Sequence, residues 1–275
     1  MRIPFNFEIK KVPAFIKRDF IEEASYKFSF LSNIFSIFLN LLTFFFLAKL
    51  FGSTVNPYLA QYGGNYFSFV LLGIAFFGYM TTSLYGLGSA IQRSQTTGTL
   101  EALLTTRTSI STIVVSSTLY NYIWTSISVL IYLALGIFLF KINIFLAGIF
   151  PALLVLVLSI VSFSCIGILS AAFLLIFKKG DPITGLFVSV SFLFGGVYYP
   201  ITIFPSWLKK LAFLIPLTHS LEGMRLPLLK GCTLYDIRLN VLFLFLFSAV
   251  MLPISIFVFK YAIRKAKIEG SLTKY

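Results

Sequence analysis

The sequence contains few charged residues, a single histidine and two cysteines. Charged residues make up 11% of its 275 residues and hydrophobic residues 58%, and the mean hydropathy is +0.94. A soluble domain has about 25% charged residues, so this chain cannot cover its surface with water-compatible side chains. The composition excludes a soluble enzyme, a nucleic-acid-binding domain and a disordered chain as descriptions of the whole protein. Cys165 and Cys232 lie far apart and give neither a disulfide framework nor a metal-ligand spacing.

The groups that carry out catalysis are also missing. The sequence has one histidine, His219, no pair of carboxylates inside an apolar stretch, and no G-x-x-x-x-G-K-[ST] phosphate-binding loop. Ionisable side chains inside spanning helices mark proton relays and ion-coupled carriers, and the interiors of the predicted spans contain none. These absences argue against an intramembrane enzyme and a proton- or sodium-driven carrier, although backbone carbonyls can coordinate Na⁺. If the protein uses ATP, another polypeptide hydrolyses it.

Six apolar stretches are long enough to cross a bilayer, which takes about 20 residues per helix. They cover Phe28–Leu50, Tyr66–Ile91, Ile110–Phe140, Leu146–Phe177, Ile183–Tyr199 and Leu239–Phe259. The net charge of +13 comes from Lys and Arg beside these stretches, where positive residues report orientation. Most of them fall on the side of the N-terminus, so both termini are predicted to be cytoplasmic. The predicted fold is an all-α membrane protein with six transmembrane helices.

The chain divides into a cytoplasmic tail (1–27), a six-span membrane domain (28–260) and a second cytoplasmic tail (261–275). The first tail carries apolar residues at helical spacing, namely Val12, Phe15, Ile16, Phe20 and Ala24, with Lys17 and Arg18 on the other side. This pattern predicts an amphipathic helix lying in the cytoplasmic interface, with its basic residues facing anionic lipid. The alternative is a polar leader with accidental periodicity.

The connection between the second and third spans, 93–107, is too polar to enter lipid. Leu100, Leu103 and Leu104 give it an apolar face, and Thr99 can cap a short helix that begins near Leu100. A short cytoplasmic helix with a leucine face fits a groove on another protein. The alternative is a surface hairpin whose leucines tuck under the membrane.

The connection between the fifth and sixth spans, 201–230, is apolar but interrupted by Pro205, Pro216 and Pro227. Two short helices fit, at about Pro205–Leu214 and Leu217–Leu228, and each is too short to cross. Because both ends of the segment lie outside, the pattern predicts a re-entrant helical hairpin that dips into the outer leaflet.

The hairpin contains Glu222 and Arg225, which at i and i+3 can pair on one helix face, and His219 lies one turn earlier and could join them. The alternative is an external amphipathic loop with a surface ion pair. Before the hairpin, Gly195 and Gly196 allow close helix approach or bending. Tyr198 and Tyr199, followed by Pro200, fit an interfacial aromatic belt and could equally gate an exit.

Two motifs resemble those of type-2 ABC exporter permeases. Gly98–Thr106 reads GTLEALLTT and resembles that family's G-T-L-E-x-L-L-x-T-P segment. Gly195–Pro200 with the later Pro216-Leu217-Thr218-His219 resembles its S-G-x-x-[FY]-P … N-P-L-T-[YH] stretch. Arg107 replaces the family's frequent proline, and Ile215 replaces a common asparagine. The resemblance covers nearly the whole chain, including the interface helix, the six spans and the re-entrant pair.

The resemblance implies that the segment 98–106 is a coupling helix that docks on a separate ATP-binding subunit. The residues it assigns to this contact are Gly98, Thr99, Leu100, Glu101, Leu103, Leu104 and Thr105. Two permease subunits, identical or paralogous, would form one pathway with two ATPase subunits that bind ATP and Mg²⁺. The interface helix would flank the same partner. This chain itself would hold no cofactor and no metal, and would contact membrane lipid and no nucleic acid.

The resemblance also implies export across the cytoplasmic membrane. We expect an amphipathic small molecule, a drug or a lipid as the substrate, and a polysaccharide or lipid-linked glycan is the alternative. A different class, an ATP-independent carrier or channel, would use the cytoplasmic segment only as a connector.

Overall fold

The computed structural model describes residues 12–24, 27–96, 110–177 and 182–268. Within these ranges the chain forms α-helices and short 3-10 helices and no strand. The α-helices are α1 (Val12–Ala24), α2 (Lys27–Val55), α3 (Tyr66–Thr96), α4 (Ile110–Phe138), α5 (Ile149–Phe177), α6 (Pro182–Phe194), α7 (Ser206–Ala212), α8 (Pro216–Lys230) and α9 (Arg238–Ile268). The 3-10 helices are Asn56–Tyr62, Leu146–Gly148 and Ile201–Ile203.

Five helical segments are long and apolar enough to cross a membrane. They are Phe30–Gly52 in α2, Tyr66–Ser89 in α3, Thr118–Phe138 in α4, Leu146–Phe177, which includes α5, and Arg238–Lys265 in α9. Each corresponds to one of the apolar stretches that the sequence predicts. The prediction of an all-helical membrane protein is therefore confirmed, whereas a sixth helix of full length is not found in the described part of the chain.

The fifth predicted span is shorter than expected. α6 has 13 residues, about 20 Å at 1.5 Å per residue, whereas the hydrocarbon core of a bilayer is about 30 Å thick. The N–H of Gly195 still donates to the carbonyl oxygen of Ser191 at 2.7 Å, but Gly196 adopts a φ of +80°. Glycine reaches this left-handed conformation without the steric cost that a side chain brings. The prediction that this helix continues to Tyr199 is therefore wrong.

The core of the molecule is built around α3. In the most apolar 18 residues of this helix 72% are buried, against 11% in those of α2. α3 packs against α4 and α5, and α5 packs in turn against α8 and α9. Close packing between α3 and α5 depends on Gly167, because a Cβ there would lie 2.1 Å from the carbonyl oxygen of Ser83.

Buried hydroxyl groups join the long helices. The Tyr122 hydroxyl of α4 donates to Ser83 Oγ of α3 at 2.8 Å and lies 2.8 Å from Ser164 Oγ of α5. Ser162 of α5 and Ser248 of α9 share a hydrogen bond of 2.8 Å. Hydrogen bonds between helices stabilise a bundle in lipid, where the hydrophobic effect does not drive one helix onto another.

The connection between α6 and α9 contains the two short helices that the prolines predict. α7 and α8 differ from the predicted pieces by one to two residues at each end. Pro216 begins α8, because its missing N–H costs nothing in the first helical turn. Gly231, with a φ of +69°, ends it. α8 is almost entirely buried and forms the core of this end of the bundle.

Candidate functional site at the end of the bundle

Five of the predicted site residues line one cleft. Gly195, Gly196 and Pro200 come from the segment between α6 and α7, and Glu222 and Arg225 from α8. The other lining residues are Tyr62, Phe69, Ile201 and Thr218. The space between these side chains is too narrow for a water molecule, so they are closely packed.

Arg225 holds this cleft together. Its side chain is 2% exposed. Its Nε atom donates to the carbonyl oxygen of Phe69 at 3.1 Å, Nη1 to that of Gly196 at 2.7 Å, and Nη2 to that of Val197 at 2.8 Å. The guanidinium therefore joins α8 to the first turn of α3 and to the segment that follows α6. We call this arrangement of Arg225, Phe69, Gly196 and Val197 the arginine latch.

Glu222 does not pair with Arg225, contrary to the sequence prediction. Its Oε1 atom accepts a hydrogen bond of 3.2 Å from the Tyr62 hydroxyl, while the guanidinium is occupied by the three carbonyl oxygens. A spacing of i and i+3 permits contact between two side chains, but the carbonyls of other segments offer Arg225 better geometry. Burial raises the pKa of the Glu222 carboxyl.

His219 also has partners other than the predicted ones. Its Nδ1 atom lies 2.9 Å from Oδ1 of Asn240 in α9, and its Nε2 atom lies 2.8 Å from the carbonyl oxygen of Phe213. Its ring stacks on Phe243 with the centroids 3.9 Å apart. His219 thus fixes α8 against α9 and against the turn after α7, and its two ring nitrogens bond to these partners rather than to Glu222 or Arg225.

The two predicted gate tyrosines have different environments. Tyr198 stacks on Phe44 of α2, with the ring centroids 5.0 Å apart, and meets Phe192 of α6 edge-on at 4.8 Å. The Tyr199 hydroxyl donates to the carbonyl oxygen of Leu193 at the end of α6. Tyr198 therefore bridges α2 and α6, whereas Tyr199 fixes the end of α6.

Sequence reasoning missed residues of this site that lie far from the predicted ones along the chain. Tyr62 is 160 positions from Glu222, and Phe69 is 156 positions from Arg225. Gly73 lies beside the latch, where a Cβ would be 2.3 Å from both the Arg225 Nη2 atom and the Val197 carbonyl oxygen. A tyrosine, a phenylalanine and a glycine are common in any membrane helix, so no local signal distinguishes them.

The structure describes only some of the residues that the sequence predicts to be cytoplasmic. α1 forms as predicted and packs against α4, with Phe15 and Ile16 half-buried and Lys17 and Phe20 exposed. Arg18 lies in the same helix. The predicted coupling residues, from Gly98 to Thr105, lie outside the described residues.

The described side chains of this arrangement take part in packing and hydrogen bonding. Among the described residues, no three His, Cys, Asp or Glu side chains come together as they would around a metal ion. Long apolar helices, buried interhelical hydroxyls and a closed polar latch together define a multi-pass membrane protein.

Comparison with known families identifies which class of membrane protein it is. The family model of ABC-2 type transporters matches residues 11–229. Since the match covers well over half of the chain, the protein belongs to the ABC-2 type transporter family. It is therefore the membrane-spanning permease component of an ABC transporter, a kind of component that works with an ABC ATPase subunit. Comparison with curated proteins gives no significant match.

Proposed function

We propose that this protein is the permease subunit of an ATP-driven exporter in the cytoplasmic membrane. Two copies, or one copy and a paralogue, form the pathway, and two copies of a separate ATPase subunit bind ATP and Mg²⁺. The observation that carries this proposal is the family match over 11–229, together with the GTLEALLTT segment at 98–106. The substrate is an amphipathic small molecule, a drug or a lipid.

Six crossings of the membrane agree best with the charges. The five long helices alone would place the segments before α2 and after α9 on opposite sides. Both ends are basic, with Lys10 and Lys11 before α2 and Arg264 and Lys265 in the last turns of α9, so the positive-inside rule favours the same side for both. In this proposal α6 completes the sixth crossing together with the segment that leads to Pro200.

The α7–α8 hairpin enters the outer leaflet in the same proposal. α8 is about 22 Å long at 1.5 Å per residue, too short to cross. Trp207, Leu211 and Leu214 are exposed apolar residues at helical spacing on the α7 side of the hairpin. This surface is suited to contact with lipid, and the buried α8 has protein around its backbone, as irregular backbone at membrane depth requires.

Coupling to ATP hydrolysis is assigned to the segment 98–106. Its leucines Leu100, Leu103 and Leu104 would enter a groove of the ATPase subunit, with Glu101 as a polar contact. α1 lies on the cytoplasmic side and would flank the same subunit. A glycan remains the alternative substrate, since the aromatic ring of Tyr198 can also stack on a sugar.

The experiment is purification of the tagged protein from its native membrane in mild detergent, followed by mass spectrometry. We expect a stoichiometric partner that carries a G-x-x-x-x-G-K-[ST] phosphate-binding loop. Changing Leu100, Leu103 and Leu104 to Asp should release the partner while membrane insertion and thermal unfolding stay unchanged. The matched control is Thr273→Asp in the cytoplasmic C-terminal tail, which should retain the partner.

A preparation without any ATPase that moves substrate into liposomes would contradict the proposal and favour an ATP-independent carrier. Retention of the partner by the triple leucine variant would show that coupling takes place elsewhere.

A further inference from the structure

Glu222 is the acidic residue of the cleft, and its surroundings suit an uncharged carboxyl. Its Oε1 atom accepts a hydrogen bond of 3.2 Å from the Tyr62 hydroxyl. Apolar groups of Phe69 and Ile201 also line the cleft, and the ring centroid of Phe69 lies 4.9 Å from that of Tyr62. One neutral partner does not compensate an ionised carboxylate for the loss of water. The site therefore favours the protonated form of Glu222.

Arg225 lies three residues further along α8 and directs its guanidinium to other groups. Its nitrogen atoms donate to the carbonyl oxygens of Phe69, Gly196 and Val197. The spacing of i and i+3 nevertheless permits an ion pair between Arg225 and Glu222. The same guanidinium can therefore bind either the carbonyl oxygens of the arginine latch or the carboxylate of Glu222.

The charge of Glu222 decides between these two sets of partners. A protonated carboxyl attracts the guanidinium weakly, so the carbonyl oxygens hold Arg225. When the carboxyl loses its proton, two opposite charges face each other in a region of low dielectric constant, where their attraction is much stronger than in water. The guanidinium then turns towards Glu222 and releases Gly196 and Val197.

A proton can reach Glu222 from solution, because its side chain is half-buried rather than fully enclosed. Burial raises the pKa of this carboxyl, and the hydrogen bond from Tyr62 and the nearby His219 and Arg225 oppose that shift without cancelling it. Among the described residues that line the cleft, Glu222 and Arg225 are the charged ones. The carboxyl therefore titrates closer to neutral pH than an ordinary glutamate does.

We propose that Glu222 is a proton-binding residue on the outer side of the membrane and that its protonation closes the arginine latch. A proton taken from water leaves Arg225 on the carbonyl oxygens, which holds the segment after α6 against α3 and α8. Return of the proton to water lets Arg225 pair with Glu222 and frees that segment to move. The outer location rests on the proposed function, and acidity on that side slows the transport cycle.

Thermal unfolding of the purified protein in detergent tests proton binding. Because the folded state holds this proton more tightly than the unfolded chain, its contribution to stability is lost as the pH rises through the pKa of the folded state. We expect the unfolding temperature of the wild type to fall by about 3 °C relative to Glu222→Gln between about pH 5 and pH 8. His219 is present in both proteins, so its titration cancels in the comparison.

Asp236→Asn is the matched control for this measurement. Asp236 is exposed, and hydrogen bonds from the backbone N–H and the hydroxyl of Thr233 lower the pKa of its carboxyl. It therefore stays ionised over the whole range, and the variant should follow the wild type. A constant difference between the wild type and Glu222→Gln at every pH would overturn proton binding by Glu222.

Cysteine labelling measures whether the latch opens. Cys165→Ala and Cys232→Ser provide the background, Val197→Cys is added, and the reagent is a charged, membrane-impermeant methanethiosulfonate. Val197 is fully buried with the latch closed. At about pH 8 the cysteine should react about fivefold faster or more with Glu222 present than with Glu222→Gln, and at about pH 5 the two rates should be equal.

Comparison at the same pH removes the pH dependence of the thiol itself. Tyr58→Cys is the control position, because Tyr58 is exposed in the 3-10 helix before α3, and its labelling should not depend on Glu222. Equal rates for Val197→Cys with Glu222 and with Glu222→Gln at about pH 8 would overturn the link between the proton and the latch.

The outcome is separable from that of the proposed function. The complex is reconstituted in liposomes with its cytoplasmic side outwards, and ATP is added outside. Acidifying the lumen from about pH 8 to pH 5 should slow ATP hydrolysis about fivefold or more, whereas Glu222→Gln should be slow at both values. An equal response of both proteins would overturn the switch while the exporter stands. If no ATPase partner is recovered but the unfolding and labelling results hold, the exporter proposal fails and the proton switch stands.

Discussion

Arg225 contacts Phe69 twice: its Cζ atom lies 3.5 Å from the centroid of the Phe69 ring, and its Nε atom donates to the carbonyl oxygen of the same residue. The direct partners of the positive charge are therefore the ring face and three carbonyl oxygens. Because one side chain binds both the backbone and the ring of Phe69, α8 is held in a single register against α3. This relationship explains why the residues around the cleft are closely packed.

Arg225→Lys should destabilise the protein by about 2 to 4 kcal/mol, since hydrogen bonds to a charged group are worth about 1.5 to 3 kcal/mol each. A lysine ammonium has no planar fork and cannot reach the carbonyl oxygens of Phe69, Gly196 and Val197 together. Thermal unfolding in detergent measures the effect. Lys230→Gln, at an exposed position of the same helix, is the control, and equal unfolding of the two variants would contradict a latch.

Gly73→Ala should disturb the same latch from the other side. The new Cβ would lie 2.3 Å from the Arg225 Nη2 atom and from the Val197 carbonyl oxygen, so the segment after α6 has to move away. We expect the free energy of unfolding to fall by about 1 to 3 kcal/mol, as is typical of overpacking. Gly185→Ala in α6 is the matched control, because a Cβ there meets nothing within 4 Å. An unchanged free energy of unfolding in Gly73→Ala would mean that the segment after α6 does not pack closely against Gly73.

Charge reversal distinguishes the latch from an ion pair between Glu222 and Arg225. Glu222→Gln retains an acceptor for the Tyr62 hydroxyl. Its free energy of unfolding should therefore stay within about 1 kcal/mol of the wild-type value. The double variant Glu222→Arg with Arg225→Glu should fail to reach the membrane in folded form, because a carboxylate would face three carbonyl oxygens. Yield and size-exclusion profile report both results. A well-folded double variant would support the ion pair instead.

Tyr122→Phe should loosen the contact between α3, α4 and α5. Its hydroxyl bonds both Ser83 and Ser164 at 2.8 Å, and each bond contributes about 0.5 to 1.5 kcal/mol. We expect a lower unfolding temperature in detergent, whereas the exposed Tyr85→Phe should leave it unchanged. The same temperature for both variants would show that the hydroxyl cluster does not stabilise the bundle.

The long helices could be predicted because the signal for them is local. A run of about 20 apolar residues identifies a spanning helix whatever lies beside it, and each of the five long segments was found in this way. α6 shows where this reasoning fails. Its apolar stretch continues to Tyr199, and only the left-handed φ of Gly196 shows that the helix ends earlier.

The site could be predicted only in part. Gly195, Gly196, Pro200, Glu222 and Arg225 do line one cleft, but the contacts between them were assigned wrongly. Spacing along one helix favoured a bond between Glu222 and Arg225. The partners actually used, Tyr62 for Glu222 and Phe69 for Arg225, lie more than 150 positions away, where spacing gives no information.

The sequence by itself determined that this is an all-helical membrane protein. Its composition and hydropathy require lipid around the chain, whatever fold the chain adopts. It also determined the two motifs on which the family resemblance depends. Only the tertiary structure decided the partners of Arg225, Glu222 and His219 and the true length of α6. These depend on which carbonyls, rings and side chains distant parts of the chain bring together, and a buried polar group takes whichever partner satisfies it best.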